Sequence, residues 1–298
     1  MATFENSTIL VTGAGGHLGR KVIDNLLARG ATKIIAVTRD PSKLADLAAK
    51  GVDVRAGDFN DPASLDAAFQ GADRVLVIST DAIGIPGGRK AQHIRAIDAA
   101  ERAGATHIAY TSITSPYPSN DPACSVPDDH FWTEARLIGG KTDWSLLRNN
   151  IYAEIALHSA GPAVASGKLF HAQGKAGRAS VAHDDAAAAA AGALLTAEGK
   201  HVCDVSGPEA IPATEFAAIL SQISGKPVEA VALTGAQLIE GLKAAGMPET
   251  VAPVMAQFDV DTSTGSHSIV TDAVEVLTGN KPKSFRDVLV ANRAAFAS

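Results

Sequence analysis

Short, nearly continuous apolar runs alternate with helix-length segments through the first half of the chain. Runs without polar alternation indicate strands buried on both faces of a parallel sheet, and we predict them at 8–12, 33–38, 52–55, 74–79, 107–111 and 144–147. Helices are predicted at 18–29, 41–50 and 62–70, each followed by a glycine that can end a helix, and from near Arg89 and near His130. This alternation predicts an α/β fold with a doubly wound parallel sheet.

The pattern changes after about residue 150. Helix-length segments dominate there, at 213–224, 235–245 and 284–297, with strand-like pieces at 201–206 and 228–233. The alanine-rich run 184–195 predicts a helix whose small side chains allow it to pack closely against a sheet. We therefore predict a first domain over 1–207 and a smaller, mainly helical C-terminal domain over 208–298, with the chain crossing between them after about residue 150.

Composition and charge narrow the class of protein. Of 298 residues, 46% are hydrophobic and 19% are charged, as in an ordinary globular protein. The net charge of −6, without a cluster of Lys or Arg, argues against nucleic acid or a membrane as partner. Cys124 and Cys203 form neither a disulfide framework nor a metal-ligand motif, so we expect no metal. The N-terminus shows no targeting segment, and no run approaches the ~20 apolar residues of a membrane span, so we expect a cytoplasmic protein.

A glycine-rich turn follows the first predicted strand and opens the first predicted helix. Gly13, Gly16 and Gly19 recur every third residue. The first permits a tight turn, the second lets backbone N–H groups approach a pyrophosphate, and the third lets the helix lie close to the sheet. The helix N-terminus adds unpaired N–H donors and partial positive charge. The turn predicts a Rossmann-type dinucleotide site formed by Gly13, Gly15, Gly16, His17, Leu18 and Gly19.

The end of the second predicted strand indicates which dinucleotide binds. An NAD-binding protein usually has an acidic residue there for the ribose 2′-hydroxyl, whereas an NADP-binding protein needs a cation for the 2′-phosphate. Here Arg39 follows the strand, and Lys43 comes four residues later. Asp40 precedes Pro41, which is typical of a helix N-cap followed by the first helical residue. We predict that Arg39 and Lys43 bind the 2′-phosphate of NADP(H).

Two further strand ends carry candidate cofactor residues. Asp58 and Phe59 follow the third strand, where a carboxylate can accept from the adenine amine and an aromatic ring can flank the base. Asp58 is equally compatible with a turn role before Pro62, and both alternatives stay open. Ser79 and Thr80 end the fourth strand, and ligands of such sheets bind beyond the carboxyl ends of the strands.

The chain lacks the Tyr-x-x-x-Lys motif with which short-chain dehydrogenases protonate an alkoxide. No tyrosine is followed by lysine at the fourth position. In the expected helix, His130 and Glu134 have the i, i+4 spacing instead. His130 is a candidate proton donor, but a surface histidine paired with Glu134 is the interpretation we favour.

The sequence resembles the NmrA-like branch of the atypical short-chain dehydrogenases and, within it, is most similar to bacterial NAD(P)H:quinone oxidoreductases and triphenylmethane dye reductases. The resemblance is carried by TGAGGHLG (12–19), VTRDPSK (37–43), AGDFND (56–61), AQHIRAIDAAERAGATHIAYTS (91–112), HFWTEARL (130–137) and WSLLRNNIYAE (144–154). It implies an NADPH-dependent reductase, monomeric or homodimeric, that passes hydride to a quinone, dye or similar conjugated aromatic acceptor. Such acceptors stabilise the added charge themselves, which makes the missing Tyr/Lys pair intelligible.

The resemblance also implies where the acceptor binds. The segment 148–152 would border the nicotinamide and the acceptor, with Asn150 and Tyr152 positioning the acceptor and Ser112 contributing a hydrogen bond. Tyr152 is a second candidate catalytic residue. Gly15 stands where the family often has Thr, and the proline-rich segment 115–127 would border the acceptor pocket. Two alternatives stay open: a non-catalytic NADP-binding redox sensor, and a reductase of benzylic ethers or lignin-like aromatics.

Overall fold

A computed structural model describes residues 7–83, 85 and 87–297, and within them seven parallel strands form one sheet. Residues 1–6, on which the expectation about a targeting segment partly depends, lie outside this range. In chain order the strands are β1 (Ile9–Val11), β2 (Ile34–Thr38), β3 (Asp53–Ala56), β4 (Arg74–Val77), β5 (His107–Ile113), β6 (Asp143–Asn149), β7 (Lys168–His171), β8 (Gly177–Arg178), β9 (Lys200–Val205), β10 (Ile211–Pro212) and β11 (Glu229–Ala232). The main sheet has the order β3-β2-β1-β4-β5-β6-β9, which confirms the predicted doubly wound fold.

Helices cover both faces of the main sheet. They are α1 (His17–Ala28), α2 (Ala45–Ala48), α3 (Pro62–Ala68), α4 (Gly88–Arg102), α5 (Ser125–Ile138), α6 (Leu157–Ser166), α7 (His183–Thr196), α8 (Ala213–Ser224), α9 (Gly235–Ala244), α10 (Ala252–Ser263), α11 (Ala273–Thr278) and α12 (Phe285–Ala291). In β1, Ile9 and Val11 face the core formed with α1 and α7, while Leu10 faces the core formed with α3 and α4. Strands buried on both faces explain the apolar runs in the sequence.

Several elements differ from the sequence prediction. The region 41–50 forms a 3₁₀ turn and then the single turn α2, and α5 begins at Ser125, inside the proline-rich segment 115–127 and before the start predicted near His130. Helices α6 and α10 were not predicted. Helix α6 contains Gly161 and Pro162, which disfavour a helix in isolation, yet Ala160, Ala163 and Val164 pack into a third hydrophobic core. The predicted helix 284–297 ends at Ala291.

The third core joins two separate parts of the sequence. It contains residues from Ala153 to Leu169 and residues from Ile211 to Phe296. The chain leaves the main sheet after β6, returns with α7 and β9, and leaves again. The division at residue 207 and the crossing between domains after about residue 150 both stay predictions. None of the helices described between residues 7 and 297 is long and apolar enough to cross a membrane.

Helix α7 packs so closely that one of its positions must be glycine. Its buried residues include six alanines and Gly192. A Cβ on Gly192 would overlap the carbonyl of Leu277, where α11 crosses. At the C-terminus of α7, the buried guanidinium of Arg74 donates to the carbonyls of Leu194 and Ala197, each at 2.6 Å. Arg74 satisfies acceptors that the helix itself leaves unpaired, so β4 and α7 are fixed to each other.

Gly192→Ala should lower the free energy of unfolding by about 1–3 kcal/mol, because the added methyl forces α7 and α11 apart. Gly241→Ala in α9 is the matched control, since a Cβ there meets no atom within 4 Å. The control should raise stability by about 0.5–1 kcal/mol. Urea unfolding of both variants measures the difference, and equal stability of Gly192→Ala and the parent chain would contradict the packing.

Candidate functional site

The glycine turn forms an open cradle between β1 and α1. Gly13 has φ +61°, a region that favours glycine, and the N–H of Gly16 donates to Gly13 O at 2.9 Å. A Cβ on Gly19 would overlap the backbone of Gly13 and Ala14, so α1 could not approach the turn with any other residue there. The N–H of Ala14 donates to Val37 O at 3.1 Å, which fixes the turn to β2.

The cradle fits a dinucleotide phosphate. Helix α1 begins at His17 with Gly16 as its N-cap; no side chain caps its N–H groups, and no acidic residue lies in its first turn. Gly15, Gly16 and His17 are exposed and Leu18 is half-buried. The uncapped helix end therefore presents N–H donors and partial positive charge to an anion.

The end of β2 supplies two cations beside this cradle. Arg39 is exposed and has no ion-pair partner in the described part of the chain. Lys43 is 75% exposed and lies 3.7 Å from Asp40. Asp40 accepts from the backbone N–H of Ser42 at 3.1 Å, which confirms its N-cap role. The Ser42 hydroxyl and Lys43 lower the pKa of Asp40. Arg39 and Lys43 are therefore available to an anionic ligand.

The loop after β3 uses Asp58 in its own turn. Oδ1 of Asp58 accepts from the N–H of Asn60 at 2.8 Å, and the Asp58 N–H donates to Ser64 at 2.9 Å. Phe59 is half-buried against the core on the α3 and α4 side. The turn role of Asp58 is thus present, and an adenine role for Asp58 and Phe59 stays a prediction.

Thr80 is hydrogen-bonded to other residues of the chain through its backbone and its side chain. Its N–H donates to Nε2 of His93 at 2.9 Å, its carbonyl accepts from Arg89 at 2.7 Å, and its hydroxyl donates to Gln92 at 2.6 Å. The N–H of Ser79 donates to the Thr111 hydroxyl at 2.8 Å. Ser79 and Thr80 therefore form a fixed edge beyond the carboxyl end of β4, and their contact with a cofactor stays a prediction.

The expectation for His130 is wrong. His130 is buried, its Nδ1 lies 2.7 Å from the hydroxyl of Tyr110, and its Nε2 lies 3.3 Å from Arg89. It is not a surface histidine paired with Glu134, because α5 turns that face inward against β5. Burial, with the charge of Arg89, holds the pKa of His130 well below its usual value. The ring is therefore neutral and buried.

The tautomers of this buried cluster follow from its donors. Nε2 of His93 accepts from Thr80, so Nδ1 carries the proton and donates to the oxygen of Tyr110, 3.1 Å away. Arg89 can only donate, so His130 accepts at Nε2 and also donates to Tyr110 through Nδ1. Burial lowers the pKa of His93 to about 3 and raises that of Tyr110. Both imidazoles are therefore neutral donors to Tyr110, while Nη1 of Arg89 has no hydrogen-bond partner within the described residues and lies 3.6 Å from Asp129.

Glu134 instead forms an ion pair across the strand ends. Both of its oxygens accept from Arg148, at 2.9 and 2.6 Å, and Oε1 also accepts from the Ser112 hydroxyl at 2.6 Å. The hydrogen bond that Arg148 donates to Glu134 raises the pKa of Arg148. Because the Ser112 proton is directed at Glu134, Ser112 can accept a hydrogen bond from a ligand but has no free proton to donate.

The side chains at and after the end of β6 have different hydrogen-bond partners from those that the predicted roles require. The amide of Asn150 is engaged at both atoms: Nδ2 donates to His267 O at 3.0 Å, and Oδ1 accepts from Ile151 N at 2.9 Å. Asn150 therefore holds backbone together. The neighbouring Asn149, which the sequence reasoning missed, donates to Tyr152 OH at 3.0 Å, and its buried Oδ1 has no hydrogen-bond partner within the described residues. Burial raises the pKa of Tyr152 to about 12.

A second feature that sequence reasoning missed lies beside Tyr152. The carboxylate of Glu154 lies 3.0 Å from Nδ1 of His183 and also accepts from the His183 backbone N–H at 3.1 Å. The ring centroids of Tyr152 and His183 are 4.2 Å apart. Burial opposes ionisation of Glu154, but the hydrogen bond from His183 brings its pKa below the usual value. Glu154 and His183 are 29 positions apart in the sequence, so no local motif predicts that they form a pair.

The segment after β5 is held against the second part of the molecule. The hydroxyl of Tyr117 donates to Asp261 on α10 at 2.8 Å, and the hydroxyl of Ser115 donates to Ser266 O at 3.2 Å. The space beyond the carboxyl ends of β5 and β6 is therefore bordered by α10 and its following loop.

Known proteins resemble this chain in sequence and in fold. The model of an NAD(P)H-binding family matches residues 13–194. Quinone oxidoreductase 2 of Escherichia coli is 39% identical over 260 residues, which cover 86% of this chain and 88% of that one. The structure of E. coli NADPH-dependent quinone oxidoreductase QOR2 complexed with NADPH superposes with a TM-score of 0.89 at 34% identity, covering 96% and 99% of the two chains. The triphenylmethane reductase of Citrobacter sp. complexed with NADP(H) gives 0.84 at 30% identity, with coverage of 96% and 99%.

Gly16→Val should weaken NADPH binding by at least about 100-fold, because its side chain would occupy the space where the phosphate meets the α1 N-terminus. The backbone of Gly16 is compatible with valine, at φ −85° and ψ 168°, so the fold should persist. Gly139→Val, whose Cβ also lies 3.3 Å from a carbonyl but at the end of α5, is the matched control. Calorimetry measures affinity and circular dichroism checks folding. A folded Gly16→Val protein with unchanged affinity would place the cradle elsewhere.

Proposed function

The chain belongs to the NAD(P)H-binding family, and on that premise we propose that it is an NADPH-dependent reductase that transfers hydride to a quinone, a cationic dye or a similar conjugated aromatic acceptor. The observation that carries the proposal is the open glycine cradle with two available cations at the end of β2. Two relatives that resemble the chain over most of its length are named a quinone oxidoreductase and a triphenylmethane reductase. We further propose a cytoplasmic monomer or homodimer.

The chain's own residues would hold NADPH along the carboxyl edge of the main sheet. The turn from Gly13 to Gly19 would bind the pyrophosphate, Arg39 and Lys43 the 2′-phosphate, and the fixed edge at Ser79 and Thr80 would border the sugar and nicotinamide. When bound, the nicotinamide supplies a hydride, that is, two electrons. The unpaired Oδ1 of Asn149 is an acceptor suited to an amide N–H of a ligand in this region.

The acceptor would lie between the predicted domain 1–207 and the predicted domain 208–298. Tyr152, β5 and α10 border that space, which would exclude water and bring the acceptor close to the nicotinamide. The polar groups of β5 and α5 are committed to internal hydrogen bonds, so proximity and orientation are the main contribution of the protein. An acceptor that stabilises its own added charge suits such a site.

Purified protein should oxidise NADPH in the presence of a quinone or a cationic triphenylmethane dye and should be much slower with benzylic ethers. A panel of these acceptors, followed by NADPH absorbance, tests the proposed function. Tight NADPH binding with no turnover of any acceptor would favour a redox sensor instead.

Arg39→Ala should reduce the preference for NADPH over NADH by about 10- to 100-fold, because a charge-assisted contact to a phosphate is worth roughly 1.5–3 kcal/mol. Lys33→Ala is the control, since Lys33 is an exposed cation just before β2, at the opposite edge of the sheet. Affinities of both cofactors are compared by calorimetry. Equal affinity of the parent chain for NADPH and NADH would refute the 2′-phosphate assignment.

Ser112→Ala and Tyr152→Phe should each lower kcat by less than the ~10²–10⁴-fold that accompanies loss of a general acid. The reason is that Ser112 donates to Glu134 and that burial makes Tyr152 a weak acid. Steady-state kinetics with saturating NADPH give the comparison. A thousandfold fall in kcat for either folded variant, with NADPH affinity preserved, would identify a general acid that this scheme does not contain.

A further inference from the structure

The pair of Glu154 and His183 has the arrangement of a proton donor and its orienting carboxylate. An ionised carboxylate only accepts hydrogen bonds, so Nδ1 of His183, 3.0 Å from Glu154, carries a proton. The opposite nitrogen, Nε2, has no partner among residues 7–83, 85 and 87–297, and the side chain is 26% exposed. A fixed Nδ1–H leaves Nε2 as the atom that can exchange a proton with a ligand.

His183 lies at the edge of the sheet where the dinucleotide cradle opens. It is the first residue of α7, and its ring stacks on Tyr152, which follows the carboxyl end of β6. Tyr152 also forms an isolated bridge with Val181. The next residue, Asp184, forms an ion pair with Lys21 of α1 at 2.5 Å. His183 therefore lies between the end of β6 and the first turns of the helix that begins at the glycine turn.

The other polar side chains near this edge cannot supply a proton as easily. The Ser112 proton is directed at Glu134, and His93, Tyr110 and His130 are buried and hydrogen-bonded to one another. With its pKa raised to about 12, Tyr152 is a weaker acid than an ordinary phenol at about 10, so proton transfer to a phenolate-like product would be uphill.

We propose that His183, oriented by Glu154, donates the proton that converts a reduced quinone into the hydroquinone. This inference rests on the proposed function, since it assigns a step of the same reaction. Glu154 acts as a positioning residue, and Nε2 of His183 contacts the quinone oxygen.

The step balances in atoms and electrons. Hydride from the nicotinamide bonds to one carbonyl oxygen of the quinone, which becomes a hydroxyl; both carbonyl π bonds are lost, the ring becomes aromatic, and the other oxygen carries the negative charge. That oxygen takes the Nε2 proton of the His183 imidazolium, and the neutral imidazole of His183 later takes a proton from water. NADPH loses two electrons and the quinone gains them. A cationic triphenylmethane dye needs no such proton, because hydride on its central carbon gives a neutral product.

The two acceptor classes separate this inference from the proposed function. His183→Gln should lower the ratio of kcat for a quinone to kcat for a cationic dye by about 100-fold, within the usual range for general acid catalysis. His158→Gln, an exposed histidine on α6, is the matched control and should leave that ratio unchanged. Equal losses with both acceptors would show a structural role for His183 and overturn the inference.

Other outcomes of the same experiments distinguish failure of the proposed function from failure of the role of His183. A parent protein that reduces neither acceptor would refute the proposed function itself. A parent protein that reduces the dye but not the quinone would leave the reductase function standing and refute the role of His183. A large rise in the NADPH dissociation constant of His183→Gln, measured by calorimetry, would assign His183 to cofactor binding and also overturn the inference.

Nitrogen NMR of histidine-labelled protein without cofactor provides a readout that does not depend on turnover. His183, assigned by its loss in His183→Gln, should show a protonated Nδ1 in the parent chain. Glu154→Gln keeps an oxygen acceptor and should preserve this tautomer, whereas Glu154→Leu should shift the ring towards the Nε2-protonated form. An Nε2-protonated neutral ring in the parent chain would contradict the geometry.

Discussion

The close approach of α1 to the turn after β1 is the constraint on which the rest of the site depends. Gly19 has no room for a side chain against the backbone of Gly13 and Ala14, so the helix begins directly over the strand end. This contact directs the uncapped N–H groups of α1 outward along the carboxyl edge of the sheet. The same edge receives the ends of β2, β4, β5 and β6, which is why cations, hydroxyls and amides from distant parts of the sequence converge there.

On the α5 side of this edge, most buried polar groups are hydrogen-bonded to each other. Arg89, His93, Tyr110 and His130 form one network, and Glu134 joins Arg148 and Ser112 in another. Breaking these hydrogen bonds in the interior would be costly, so the protons that form them are committed to structure. The result is an edge that is well ordered yet has little acid–base capacity of its own. Such an edge is suited to acceptors that can take up a hydride without a proton from a side chain on the α5 side.

Local signals were sufficient to predict the main sheet and the glycine turn between β1 and α1. Apolar runs and glycine stops located the strands, and Asp40 before Pro41 identified its N-cap correctly because capping depends on adjacent residues. The hydrogen-bond partners of His130 and Asn150 depend on which face of a helix or strand is buried. The local spacing of residues does not show which face that is. Glu154 and His183 lie on separate elements brought together by packing, and helix α6 forms despite Pro162 because its alanines enter a core. Long-range contacts of this kind lie beyond pattern reasoning on one sequence.

Direct hydride transfer to a charge-stabilising acceptor is the central claim, and isotope transfer tests it most directly. NADPH that carries deuterium at the reactive nicotinamide carbon would be mixed with the protein and a cationic triphenylmethane dye for a single turnover. The product would then be analysed by mass spectrometry. The account predicts that deuterium appears on the central carbon of the reduced dye, without exchange with water. A reduced dye that carries hydrogen from solvent, or NADPH that stays unoxidised although it is bound, would contradict it.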